Sequence, residues 1–164
     1  MHRFSWALVL FACTVLSSVA ASAEPWVEFK SAKYGISMQL WKSSKLRSKE
    51  EKGGWGMLEA KNDVATIWAI AKLGKPHTPA EIEDYGIQVT GVASKYWKLL
   101  SKGEKTNGWV WYRVYQASDA KWVIRAVLGV GPKGSYLLIL KTTTADEMAN
   151  RAAYLAWVKS VKLF

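Results

Sequence analysis

Beyond residue 23 the chain holds one histidine, His77, and no cysteine; the single Cys13 and the only other histidine, His2, lie near its start. A histidine metal site needs partner ligands of the same kind, and none exists. Thiol nucleophiles, thiolate metal centres and disulfide frameworks are excluded for residues 24–164 on the same count. A serine triad would have to use His77, yet no Gly-x-Ser-x-Gly elbow accompanies it. His77 precedes Thr78-Pro79 and reads as an exposed loop residue beside a helix start.

Paired carboxylates are the remaining catalytic option, since one acid and one base can cleave a glycosidic bond. Glu59, Asp63, Glu81, Glu83, Asp84 and Glu104 are the candidates. Glu81 is accounted for by helix capping, Asp63 by turn chemistry, and Glu83 with Asp84 by a solvated helix side. Gly129 to Gly134 is glycine-rich but leads into a strand pattern, whereas a phosphate cradle must lead into a helix. No catalytic residue, metal ligand or cofactor is assigned.

Two groups could bind a partner. In Trp109-Val110-Trp111-Tyr112-Arg113, alternation puts Trp109, Trp111 and Arg113 on one face of a strand. If Val110 and Tyr112 face the core, a Trp-Trp-Arg row stands outside, of the residue types that dominate interface hot spots. If helices cover that face, both tryptophans belong to the core. The second group is Lys45, Arg47 and Lys49, within the segment Lys42 to Gly54, which reads as a lysine-rich loop.

Composition and address narrow the partner. The chain carries a formal charge of +10 and ten tryptophans. His2 and Arg3, the apolar run Phe4 to Val19 and the Ala21-Ser22-Ala23 site read as a cleavable export signal over residues 1–23. Residues 24–164 then form one domain, periplasmic or secreted after cleavage near Ala23. Leu10-Phe11-Ala12-Cys13 is a loose lipobox, so a lipoprotein anchored at Cys13 is the alternative. Basic charge with aromatic residues suits nucleic acid in general, but export turns the reading to a protein or anionic envelope component. Peripheral membrane association is a further option.

The elements that must position these groups follow from periodicity. Trp26–Phe29, Ile36–Leu40, Trp55–Ala60 and Ala65–Leu73 read as strands, the last buried on both faces. Thr78-Pro79-Ala80-Glu81 is a capping box that opens a helix with the apolar stripe Ile82, Tyr85, Gly86, Val89 and Ala93. Strands at 96–102, 108–117, 122–130 and 135–143 follow, joined by short turn-rich loops. Thr144-Ala145-Asp146-Glu147 caps a second helix whose expected buried stripe is Met148, Ala152, Leu155 and Val158. The order predicts an α+β fold: an antiparallel sheet of about six to eight strands packed by two amphipathic helices, an α/β sandwich.

Three segments carry a family resemblance. Phe29 to Trp41 is similar to a Tyr/Phe-Gly turn, strand and corner phrase, without its proline. Gly134-Ser135-Tyr136-Leu137-Leu138 resembles the strand before the last helix, and Ala153 to Phe164 the closing helix and terminus. Together they resemble the PsbP/Mog1/DcrB-like fold. That resemblance implies a non-enzymatic binding or assembly role and transfers no functional residue. The alternative from composition is a cell-wall glycan-directed enzyme or enzyme inhibitor, with exposed tryptophan stacking on sugar.

Overall fold

The computed structural model describes residues 25–51 and 53–164. The expected export signal, its expected cut at Ala23 and Cys13 lie outside the described residues. The elements run β1 (Trp26–Ser31), β2 (Ile36–Trp41), β3 (Lys45–Glu51), β4 (Trp55–Lys61), β5 (Ala65–Leu73) and α1 (Pro79–Thr90), then a 3-10 turn (Ser94–Tyr96). They continue with β6 (Trp97–Thr106), β7 (Trp109–Ser118), β8 (Trp122–Gly131), β9 (Gly134–Thr143), α2 (Thr144–Ser160) and β10 (Lys162–Leu163).

Seven strands form one antiparallel sheet in the order β3-β4-β5-β9-β8-β7-β6. β9 is central because Tyr136 to Leu140 is apolar on both faces and wholly buried. The large sheet's seven strands fall within the expected six to eight, and a second, smaller sheet accompanies it. β1, β2 and β10 make a separate three-stranded sheet, stacked with α2 against one face of the larger one. Alternation then divides the core. Ala69, Val127 and Leu138 face α2 and the small sheet, while Ile70, Ala126 and Leu137 face α1.

α1 begins as its sequence requires. Thr78 Oγ1 accepts from Glu81 N at 3.3 Å, and Glu81 Oε2 accepts from Thr78 N at 2.7 Å. It ends earlier than the apolar stripe suggests, because Gly91 adopts φ +71° and caps the helix; Ala93 lies beyond it. Gly86 sits under Trp97 and Leu137, where an added Cβ would stand 3.1 Å from the tryptophan ring. That close approach presses α1 onto the sheet.

Two further expectations are corrected. The Lys42 to Gly54 segment is no loop; its middle is β3, paired with β4 along its length. An edge strand needs only one neighbour and is commonly guarded by charges, so its composition resembles a loop's. α2 buries Glu147, Tyr154 and Trp157, whereas Met148 is 75% exposed and Leu155 43% exposed. Arg125 on β8 draws Glu147 inward, and a kink at Asn150 (φ −117°, ψ 16°) breaks the helical phase on which the Met148 stripe depended.

Candidate binding surface

β7 separates its two tryptophans. Trp109 is buried on the α2 side, with its ring centroid 6.1 Å from Tyr112 and 6.0 Å from Tyr136. It lies over Gly129, where a Cβ would approach the tryptophan Cε3 to 3.0 Å. Val110, the residue expected inside if the row stood outside, is 53% exposed. Trp111 packs on the other side, against the α1-facing cluster. Neither expected arrangement is met in full: the row is not a row, and one of its tryptophans is core.

Trp111 and Arg113 do share a hollow of about 490 Å3 with Lys102, Glu104 and Pro79. Arg113 Nη1 reaches the Tyr115 hydroxyl at 3.5 Å, and that hydroxyl donates to Glu83 Oε2 at 2.9 Å. Burial raises the Tyr115 phenol above its ordinary value. It therefore stays protonated and ties β7 to α1.

Lys45, Arg47 and Lys49 alternate along β3 on the α1-facing side. Register partners share a face, so Lys45 stands beside Lys61, Lys61 beside Thr66, and Thr66 beside Lys141. Three lysines thus lie in one line across four adjacent strands, with no acid in the line. Arg47 stands opposite Glu59 in the register, and the Glu59 carboxylate accepts Trp68 Nε1 at 3.0 Å. Lys45, Arg47 and Lys61 border a hollow of about 510 Å3 with Ser43, Glu59 and Asp63. The line ends at Trp122, with the Lys141 and Lys121 ammonium groups 4.9 and 5.0 Å from its ring centroid. Lys49 is set apart, held at 2.5 Å by Glu51, which raises its pKa.

The two groups face the same way but stand near opposite edges of the sheet. Five strand spacings separate β7 from β3, or about 24 Å, and α1 packs on β8 and β9 between them. They form two surfaces. Sequence reasoning missed Lys61, Lys141 and Trp122 as members of the basic one, because only the register brings four strands together there. It also missed a cleft between the two sheets, lined by Phe29, Ile36, Leu58 and Ala69.

His77 is not the exposed loop residue expected. Its ring lies 5.4 Å from the Trp55 centroid, its Nδ1 is 3.5 Å from Glu81, and its backbone N–H donates to Ser135 Oγ at 2.8 Å. Among the described residues, no group of three His, Cys, Asp or Glu could hold a metal ion. No described helix is long and apolar enough to cross a membrane.

No protein-family model matches the sequence, and no curated protein does. The structure is similar to the solution structure of cyanobacterial PsbP (CyanoP) from a Synechocystis species, with a TM-score of 0.57 and 10% sequence identity. The likeness covers 92% of this chain and 99% of that one. The chain therefore has the PsbP-like fold: two helices on antiparallel sheets of seven and three strands.

Proposed function

We propose that this chain is an exported, non-enzymatic binding or assembly domain that recognises an anionic protein or other envelope component. One observation carries the reading: the acid-free line Lys45–Lys61–Thr66–Lys141, ending on Trp122. The sheet backbone holds these lysines on a shallow face, a geometry that suits an extended anionic surface more than a small substrate. Charge of one sign concentrated on a face raises the local concentration of an opposite partner and speeds its capture. The PsbP-like fold supports a binding role but does not choose the partner.

The test is retention of the purified protein on anionic material from its own envelope, over a salt series. Lys45→Glu/Lys61→Glu/Lys141→Glu should lose more than about tenfold in affinity, roughly 1.4 kcal/mol. Wild-type binding should weaken as salt shortens the screening length below about 10 Å. Equal retention of the triple variant and wild type would overturn the reading. An intact mass of the exported protein addresses the address: a chain starting at Glu24 supports free diffusion, and a lipid-modified Cys13 supports a tether.

A further inference from the structure

The cleft between the two sheets lies on the opposite side of the large sheet from the lysine line and has no part in that reading. Its volume is about 560 Å3, within the roughly 300–1,000 Å3 span of small-molecule sites. The room comes from small residues. β5 places Ala69 and Ala71 opposite Leu138 and Tyr136 of β9, so the floor drops where its neighbour is bulky. Gly56 of β4 admits the Tyr34 ring, whose hydroxyl would stand 2.2 Å from any Cβ there. Tyr34 in turn is anchored through its carbonyl, which accepts from the Tyr136 hydroxyl at 2.6 Å. Phe29 and Ile36 of the small sheet form the opposite wall.

The mouth is polar. Ser31 and Ser48 border it, and Lys33 and Glu50 are the charged side chains on its side of β3; Lys49 also borders it, but its ammonium is held by Glu51 on the α1-facing side. Lys33 reaches across to Glu50 at 3.5 Å, both side chains being largely exposed at 64% and 81%. Such a pair is weak and exchanges readily for another anion. The turn that carries Lys33 is braced by Lys133, whose Nζ donates to Ala32 O at 2.5 Å.

We propose that this cleft binds a single-chain amphiphile, its apolar chain between the Leu58–Ala69 floor and the Phe29–Ile36 wall and its anionic head at Lys33, in exchange for Glu50. Each further methylene withdrawn from water should tighten binding about fourfold. The head group sets orientation by keeping its charge at the wet end.

The experiment is displacement of a dansyl-labelled fatty acid from the purified protein by laurate, with lauryl alcohol as the uncharged comparison. The proposal expects saturable binding of one probe per chain. Ser48→Trp fills the mouth from an exposed strand position and should abolish binding while leaving circular dichroism and the unfolding midpoint unchanged. Lys33→Glu should weaken laurate about tenfold and leave lauryl alcohol as it was. The Lys45→Glu/Lys61→Glu/Lys141→Glu variant should bind the amphiphile normally, so failure of the anionic-partner reading leaves this result intact. Probe binding that is absent, non-saturable or insensitive to Ser48→Trp overturns the proposal. Equal loss of laurate and lauryl alcohol in Lys33→Glu overturns the assigned head-group contact.

Discussion

Arg125 of β8 and Glu147 of α2 form an ion pair inside the protein, with side-chain exposures of 2% and 9%. It links the large sheet to the helix on its far side, as does the Thr142 hydroxyl of β9, which donates to Asp146 Oδ2. Breaking it from one end strands the other charge in the core, which costs about 3–5 kcal/mol. Glu147→Ala should therefore lower stability far more than Arg151→Ala, whose guanidinium touches the same carboxylate at 3.8 Å from solvent. The double variant Arg125→Met/Glu147→Leu removes both charges and should recover most of the loss. Urea unfolding of the four proteins measures the differences.

Tyr154 governs the alkaline limit. Burial and the neighbouring Asp146 carboxylate, which accepts its hydroxyl hydrogen, push its pKa far above the ordinary 10.0. The unfolded chain loses this proton near pH 10 while the folded one keeps it. The stability it contributes is complete below that pH and declines as pH rises toward the folded-state value. Unfolding free energies measured between about pH 9 and 11 should fall for wild type. Tyr154→Phe should flatten that decline while lowering neutral-pH stability by about 1–3 kcal/mol, since Asp146 loses a donor.

Gly108 should tolerate no side chain. It has φ +82°, and a Cβ would sit 1.9 Å from the carbonyl oxygen of Leu163 in β10. Gly91 has a comparable φ of +71° with nothing within 4 Å. Gly91→Ala should cost about 1–3 kcal/mol from backbone strain alone. Gly108→Ala adds a backbone clash and should cost clearly more, with β10 released. Thermal unfolding, with hydrogen exchange at the Leu163 amide, reads both effects.

The two β7 tryptophans should separate under mutation. Trp109→Ala opens a cavity in the α2-side core and should cost about 3–5 kcal/mol. Trp111 borders an open hollow, so Trp111→Ala should lose well under half of that. Equal losses, measured by denaturant midpoints at constant slope, would contradict the opposite facing of the two rings.

What the sequence discloses here is local. The capping box at Thr78, the hairpin turns and the doubly buried β5 follow from residue types a few positions apart, and the structure has them; the second expected box is replaced by a one-way cap, Thr143 accepting from Asp146 N, while Glu147 pairs with Arg125 instead of reaching back to Thr144. β3 was hidden because its partner supplies the reason for it to be a strand. The buried face of α2 was hidden because its inner residue is a glutamate, which only Arg125 on another element makes tolerable. The facing of Trp109 depended on Gly129, twenty positions away and lacking the side chain that would have excluded the ring. The lysine line needed four strands in register before it existed, and the amphiphile cleft needed β1 and β2 to leave the main sheet. Apart from β3, whose partner is the next strand, each miss rests on a long-range pairing that no short window of the sequence contains.

The three-stranded sheet has a timing of its own. β2 pairs on one side with β1, a few residues away, and on the other with β10, as Ser37 with Lys162 and Ile36 with Leu163. A two-stranded ribbon is marginal alone in water. Within this domain the hairpin made first is therefore among the last units to become secure, because the strand that completes it follows every other described element. Until then Met38 and Leu40 have no settled core, and the growing chain carries an open sheet edge of the kind that holding factors recognise. Maturation of this fold begins and ends at the same hairpin.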